Sequence, residues 1–338
     1  MTKLKFTEQE KKEFGKYRIC VAKKSHFYRK KLGKLHKKLK AAFSKKFLWP
    51  EGSVIKIYFM KEPPGHLERQ NAEQIKQGAP DLQIDPLQEE VDKMDNIIDA
   101  IKLILKKRIE PIVNLKFEYV ESRSLADIRV DFNPDDGAWS YVGTDCKNSE
   151  YSKDECTLNL GWFDVSTTIH EFCHALGMIH EHQNPKGNTI KWNRLAVFEW
   201  AESTQGWDKE TTETNILDMP KEEINGSDFD PMSIMLYFYP GNLTTNGKGT
   251  HQNLRMSALD VIWLNKMYPG SKVTPEKFYK EAYGEDINKE IALSSKQNAQ
   301  DTVGYSTGEN TPKSGKNMGI FIGIAILIII IIVILYAF

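Results

Sequence analysis

Cysteine is scarce in this chain, and its beginning lacks an apolar leader. The 338 residues include 4 cysteines, and reduced thiols are the rule for proteins that stay inside the cell. The first residues are charged, with no apolar stretch of the length that a secretory signal needs. We therefore expect a protein that is not exported through a cleaved leader. Cys146 and Cys156 bracket a short polar loop, and whether they form a disulfide stays open because sequence does not supply the geometry.

The two signs of charge are unevenly distributed, although the net charge is zero. Residues 1–46 contain 17 Lys and Arg against three Glu, a balance of +14, and the rest of the chain has a balance of −14. This basic arm suits anionic lipid, nucleic acid or an intramolecular contact with the acidic remainder. A solvated charged arm is the simplest alternative, and no motif with interleaved aromatic residues favours nucleic acid.

Charge is absent from residues 318–338, a run of 21 residues. At about 1.5 Å per residue, a helix of this length spans a hydrocarbon core of about 30 Å. We expect a single-pass transmembrane helix that anchors the chain in a lipid bilayer. Lys313 and Lys316 precede the run and no charge follows it, so the positive-inside rule predicts that the remaining chain faces the cytoplasm. The composition would also suit a virion membrane.

Three histidines, a glutamate and a glycine form the most informative pattern in the chain. His170 and His174 lie one helical turn apart, so both imidazoles can reach one metal ion. Gly177 lets the chain leave the helix and return with His180 as a third ligand. Three protein ligands leave a fourth position open, which is the catalytic arrangement of zinc. We therefore predict one Zn²⁺ per chain, with Glu171 beside it as a general base.

A second signal downstream strengthens this prediction. A bare His-Glu-x-x-His occurs by chance in many helices, but here it is extended by the glycine and the third histidine. Residues 233–237 (Ser-Ile-Met-Leu-Tyr) then resemble a methionine turn. The two signals together are the signature of metzincin zinc peptidases.

Further motifs resemble one subgroup of that clan, the astacin-like peptidases. They are Glu181 directly after the third histidine, the Ser-Ile-Met-x-Tyr form of the turn, and the run Trp139-Ser140-Tyr141-Val142-Gly143. The resemblance extends over residues 49–270. The chain departs from the family after Glu181, where His-Gln-Asn-Pro stands, and at Ala138, where a cysteine is common. We therefore do not assign to Glu181 the family's contact with a newly cut N-terminus.

The resemblance implies a role for each matching residue. A protein or peptide substrate would add as a strand to the edge formed by residues 139–143. Tyr237 would ligate the resting metal or stabilise the oxyanion, and Met235 would pack beneath the metal. Cleavage preference, oligomeric state and the restraint on activity are not indicated, because the sequence contains no recognisable latency device.

The fold class that we predict is α+β (mixed α/β). It comprises a twisted five-stranded sheet, an active-site helix, an irregular C-terminal subdomain with tryptophans 192, 200 and 207 as packing anchors, and the C-terminal transmembrane helix. Strands are predicted at 54–60, 115–120, 128–132, 139–143 and 157–160, and helices at 91–105, 164–176 and 258–267. The predicted segments are a basic arm (1–46), a peptidase domain (47–271), a mobile polar spacer (272–317) and the anchor (318–338).

A function from another class is also compatible with these features. A protease domain that has lost its activity could serve as a membrane-anchored binding protein. The intact set of histidines and glutamate argues against this alternative, because a retired site has no reason to retain all of them.

Overall fold

Six short strands form one mixed sheet in the computed structural model, which describes residues 21–23, 47–78, 83–148, 152–218 and 227–299. The strands are β1 (Val21–Lys23), β2 (Val54–Phe59), β3 (Lys116–Tyr119), β4 (Ile128–Asp131), β5 (Trp139–Tyr141) and β6 (Leu158–Asn159). Their order across the sheet is β1-β5-β6-β4-β2-β3. Parallel pairs are β2 with β3, β2 with β4, and β4 with β6. Strand β5 is antiparallel to β6, and β1 is parallel to β5. The mixed α/β fold and the five predicted strands are confirmed, and β1 is an addition.

The described residues also form nine α-helices. They are α1 (Ala72–Gly78), α2 (Gln88–Val91), α3 (Ile97–Ile104), α4 (Val165–Ala175), α5 (Arg194–Gln205), α6 (Lys209–Thr212), α7 (Ala258–Met267), α8 (Pro275–Tyr283) and α9 (Ile287–Ala299). Single π-helical turns extend α3 over Leu105–Ile109 and α6 over Glu213–Leu217. The predicted helices at 164–176 and 258–267 correspond closely to α4 and α7.

The single helix predicted over residues 91–105 is wrong at its beginning. Helix α2 ends at Val91, and α3 begins only at Ile97. Asn96 interrupts them because its backbone is extended and its side chain accepts a hydrogen bond of 3.1 Å from the N–H of Asp99. A side chain that caps a helix in this way starts a new helix even where the apolar pattern is continuous.

The spacer predicted from residue 272 is also wrong over its first part, where α8 and α9 pack on the peptidase domain. Thr274 caps α8, Pro275 occupies its first turn, and Gly284 ends it with a φ of 71°. Phe278, Tyr279, Tyr283 and Ile287 are buried members of the main core. These few apolar residues recur at helical spacing, so the stretch folds although most of its other residues are polar.

Three apolar clusters hold the described chain together, the smallest of which comprises Ile190, Phe229 and Leu236. The main core lies between the sheet and helices α3, α4, α7 and α8 and includes Ile57, Ile101 and Phe172. A second cluster around Trp200 and Tyr239 fills the C-terminal half, and Trp192 and Trp207 pack against it. The tryptophans predicted as packing anchors therefore do act as anchors.

The described cysteines form no disulfide with one another. Cys146 and Cys173 are buried and Cys156 is half-buried. Burial raises the pKa of the Cys146 thiol to about 12, which keeps it neutral. In this structure Cys146 and Cys156 are not joined.

The predicted membrane anchor, residues 318–338, lies outside the described residues, as does the basic arm apart from Val21–Lys23. Within the described ranges, every helix is too short or too polar to cross a bilayer.

Candidate active site

Helix α4 presents two of the three histidines, and both of its ends are set by local hydrogen bonds. At the beginning, the Asp164 side chain accepts a bond of 2.8 Å from the N–H of Thr167. At the end, Gly177 has a φ of 99° and donates from its N–H to the carbonyl of His174 at 2.8 Å. Met178 donates to the carbonyl of Cys173 at 3.0 Å, which completes the bond pair of a Schellman motif. A glycine is needed at 177 because other residues rarely adopt this φ.

The three predicted ligands converge after this turn. One ring nitrogen from each of His170, His174 and His180 lies within 4.8 Å of the others, and all three residues are buried. The Nε2 atoms of His174 and His180 are 2.9 Å apart. Zinc bound tetrahedrally at about 2.0–2.1 Å places its nitrogen ligands roughly 3.3 Å apart, a spacing that lies between these two values, so the cluster fits one zinc ion.

Backbone carbonyls orient two of these imidazoles. The Nδ1 of His170 lies 2.8 Å from the carbonyl oxygen of Ile234, and the Nδ1 of His174 lies 2.8 Å from that of Met178. A carbonyl only accepts, so each Nδ1 must carry the proton, and each Nε2 lone pair faces the other histidines. Burial lowers the pKa of His170 to about 4. The ring is therefore neutral at physiological pH, as a metal ligand must be.

Glu171 and Cys173 lie on the same helix but have different surroundings. Glu171 is fully buried one residue after the first ligand. Cys173 belongs to the main core and is not part of the ligand cluster. Burial raises the pKa of its thiol well above the usual range, so it is an uncharged packing group.

Tyr237 lies directly against the metal cluster. Its hydroxyl group is hydrogen-bonded to Nε2 of His180, and its ring stacks on that of His170 with centroids 5.2 Å apart. His182, close in sequence to the third ligand, instead directs its Nε2 to the carbonyl of Asn215 at 2.9 Å. The structure thus supports His180 over His182 as the third ligand.

The methionine turn is tied to the cluster by hydrogen bonds of its backbone. Met235 is fully buried, and its carbonyl accepts a bond of 2.9 Å from the N–H of Glu181. The N–H of Ile234 donates to a carboxylate oxygen of Asp260 at 2.8 Å. The carbonyl of the same Ile234 accepts the hydrogen bond from Nδ1 of His170, so one residue of the turn links helix α7 to a zinc ligand.

Sequence reasoning missed the acidic residues behind this turn. The carboxylate of Glu181 accepts 2.8 Å bonds from the Asn184 side chain and the Asp230 N–H. Burial raises the pKa of Glu181 well above its usual range, and it raises that of Asp260 to about 7, with a further contribution from Asp230. One signal was available: Ser257-x-x-Asp260 is a capping-box pattern, and the structure contains that capping box.

The prediction that residues 139–143 form the free edge of the sheet is wrong in this structure. Strand β5 covers only Trp139–Tyr141, and Gly143 begins a 3₁₀ turn. Strand β6 occupies one side of β5 and the chain's own β1 the other, with Ala22 opposite Ser140. The pairing of β1 with β5 could not be foreseen because β1 is only three residues long and lies in a highly charged arm.

A cleft opens beside the cluster, next to the beginning of α4. Its walls include both the zinc ligand His170 and Tyr237. The other side chains that line it include Trp162, Thr167, Gln252 and Asn253. The metal position is therefore reachable from a surface cleft although the ligands themselves are buried.

Comparisons with known proteins agree with this geometry. Residues 107–269 match the family model described as Astacin, a family of peptidases. A solved structure of myroilysin shares 29% identity with a TM-score of 0.52, covering 68% of this chain and 99% of that one. A second crystal structure of myroilysin shares 25% identity with a TM-score of 0.47, covering 80% and 100%.

A third solved structure is high choriolytic enzyme 1, a hatching enzyme zinc-protease from the medaka fish Oryzias latipes. It shares 14% identity with a TM-score of 0.39, covering 68% of this chain and 98% of that one. The search of curated proteins found no match.

The matched stretch contains all three zinc ligands, Glu171 and the methionine turn. The family model is that of a peptidase family, and the three histidines are placed to hold one metal ion. Residues 107–269 are therefore similar to the astacin peptidase family, and the protein is a zinc metalloendopeptidase.

Proposed function

We propose that the chain hydrolyses peptide bonds in proteins or peptides with Glu171 as general base. The observation behind this proposal is the convergence of three histidine nitrogens on the helix and turn that also carry a buried glutamate, with one of those histidines lining a surface cleft. Zn²⁺, when bound there, polarises the scissile carbonyl and makes a water molecule more acidic. Glu171 then accepts the proton of the attacking water and returns it to the leaving amine.

Tyr237 stabilises the oxyanion in this mechanism. Its hydroxyl lies against His180 at the metal cluster, and a tyrosine hydroxyl can donate a hydrogen bond to a charged oxygen. Donors already directed at the position where charge develops need no reorganisation during the reaction. Met235, fully buried beneath the cluster, contributes packing and no chemistry.

The substrate adds as an extended strand to β5, through Trp139, Ser140 and Tyr141. Because β6 pairs with one side of β5, only the side taken by β1 can accept a peptide. A substrate must therefore displace Val21–Lys23. Val142 and Gly143, which follow the strand, would border the bound peptide.

The Glu171→Gln variant tests this function. It preserves size and helix propensity but cannot accept the proton, so zinc content should be unchanged while turnover falls at least about 10²-fold. Peptide-library cleavage and metal analysis on the same samples separate the two effects. Equal turnover in variant and parent would exclude Glu171 as the base.

We propose also that residues 318–338 anchor the peptidase in a membrane, with the catalytic domain on the cytoplasmic side. The support is the uncharged run of 21 residues and the lysines that precede it. The full chain should then resist extraction with alkaline carbonate. Its recovery in the soluble fraction would contradict the anchor.

The remainder of the basic arm supports a contact with anionic lipid at the same membrane. Each Lys or Arg near such a surface contributes about 1 kcal/mol at most, and salt screens the attraction. A peptide of residues 1–46 should bind anionic vesicles at low salt in preference to neutral ones. Stronger binding to duplex DNA in competition would favour nucleic acid instead.

A further inference from the structure

We propose that Ser294, on helix α9, is a positioning residue for the zinc site. This inference rests on the proposed function, and it concerns a helix beyond the astacin-family match, which ends at residue 269. Ser294 is buried, and its hydroxyl donates to a carboxylate oxygen of Asp230 at 2.7 Å. The bond joins two residues that are 64 positions apart.

Asp230 connects Ser294 to the residue that follows the third zinc ligand. Its backbone N–H donates to the Glu181 carboxylate at 2.8 Å, and Glu181 directly follows His180. Its Oδ1 also accepts from the N–H of Met232 at 3.0 Å, at the beginning of the methionine turn. Without Ser294, the carboxylate of Asp230 loses the side-chain donor that holds this oxygen from outside the turn.

The other carboxylate oxygen of Asp230 is connected to the first ligand through a chain of hydrogen bonds. Ser257 donates its hydroxyl to Oδ2 at 2.6 Å and caps helix α7 together with Asp260. The Asp260 carboxylate accepts from the N–H of Ile234 at 2.8 Å, and the carbonyl of Ile234 accepts from His170. One branch from Asp230 thus ends at Glu181, directly after the third ligand, and the other ends at the first ligand, His170.

Helix α9 is itself held firmly enough to act as a support. Glu290, one turn before Ser294, accepts a bond of 3.2 Å from the N–H of Ala258 at the start of α7. Arg255 donates at 3.0 and 2.8 Å to Glu285, in the loop between α8 and α9. Ile287 anchors the helix in the main core. A rigid support is what an outer-shell residue needs in order to orient a ligand.

The test is Ser294→Ala in the zinc-loaded full chain, with Ser295→Ala as the matched control. Ser295 is exposed on the same helix, and its hydroxyl bonds within that helix, to the carbonyl of Ile291 at 2.8 Å. The measurements are the zinc dissociation constant by competition with a chelator, the absorption spectrum of the cobalt-substituted protein, and kcat and KM separately. A Ser294→Thr variant, which keeps the hydroxyl, tests for rescue.

We expect Ser294→Ala to raise the zinc dissociation constant by roughly tenfold, the lower end of what loss of an outer-shell partner costs. The cobalt absorption band should shift and kcat should fall, with KM changed less than kcat. Ser295→Ala should match the parent, and Ser294→Thr should recover most of the affinity. Zinc affinity and a cobalt spectrum in Ser294→Ala equal to those of Ser295→Ala would overturn the proposal, even if the variant were less stable.

The same measurements keep the two proposals apart. If the parent chain binds zinc but cleaves no peptide, the proposed function fails, while the affinity and the cobalt spectrum still decide whether Ser294 positions the ligands.

Discussion

The two halves of the metal site are built by different means. The half formed by helix α4 and its turn depends on bonds between close neighbours, such as Asp164 to Thr167 and Gly177 to His174. The half formed by the methionine turn depends on partners far away in the chain. Ile234 is held by a residue 26 positions distant and itself holds a histidine 64 positions distant. The first half can therefore be recognised from a short sequence window. The methionine turn also has a short motif, but no such window shows the distant partners that hold it in place.

The difference also concerns which residues can be exchanged. On α4, each functional side chain is placed by its spacing along one helix, so a substitution there acts directly on the metal or on the base. Behind the methionine turn, Asp230 and Asp260 each accept several bonds, and a substitution disturbs several segments at once. The local half is where the chemistry is set, and the distant half is where its geometry is stabilised.

The strongest way to break the local half is to remove a ligand with His174→Ala. Loss of a ligand should weaken zinc binding by more than the roughly 10–100-fold that loss of an outer-shell partner costs. Stability should fall as well, since metal binding is coupled to folding. Metal analysis after dialysis measures the occupancy.

His182→Ala is the control for this prediction. His182 is equally buried and stacks on the third ligand with centroids 5.2 Å apart, but its Nε2 is directed to Asn215. Its zinc content should remain at one per chain. Stoichiometric zinc in the His174→Ala variant would exclude the ligand set described here.

A smaller effect should come from breaking the contact between β1 and β5. The double substitution Val21→Pro with Ala22→Pro removes two successive backbone donors, one of which must face β5 in a strand. Each lost hydrogen bond weakens the pairing of β1 with β5 by about 0.5–1.5 kcal/mol, and the substrate then needs less free energy to displace β1. We expect kcat/KM for an extended peptide to rise roughly tenfold, as a 1.4 kcal/mol change would produce, measured with a quenched fluorescent substrate.

Val21→Ala serves as the control because it keeps every backbone donor. It should cleave the same substrate at nearly the parent rate. Unchanged kcat/KM in the double variant would show that peptides do not add at this side of β5.

The smallest expected effect concerns the half of the site formed by the methionine turn. It is a change in how the free energy of unfolding depends on pH. The pKa of Glu290 is raised from 4.5 to about 7, mainly by burial; Arg255 and the Ala258 N–H oppose this rise, and Asp230 and Asp260 contribute to it. The folded state then holds this proton more tightly than the unfolded chain does. The free energy of unfolding should therefore fall as the pH rises from about 4.5 to about 7.

Glu290→Gln should make this fall shallower, because the amide does not titrate. Some slope should remain, since the pKa of Asp260 is also raised, to about 7. Urea unfolding at a series of pH values measures the slope, with Glu281→Gln, an exposed glutamate of α8, as the control. A Glu290→Gln curve parallel to that of the parent would contradict the prediction.

The sequence by itself determined the chemistry of this protein. His170, His174, Gly177 and His180 are related by helical spacing and by the left-handed φ that glycine allows, and both follow from covalent geometry within a short stretch of chain. The helices α4 and α7 were likewise predictable, because their caps and apolar faces are local.

Only the tertiary structure decided how that chemistry is enclosed. Strand β1 has too few residues to signal itself, and its partner is distant in the sequence. Helices α8 and α9 lie in a polar stretch whose composition indicates a spacer. Their few apolar residues are buried only because α7 and the rest of the main core pack against them. Which strand covers the edge of the sheet, and which carboxylates become buried, depends on the distant segments that come into contact. No short window of sequence contains that information.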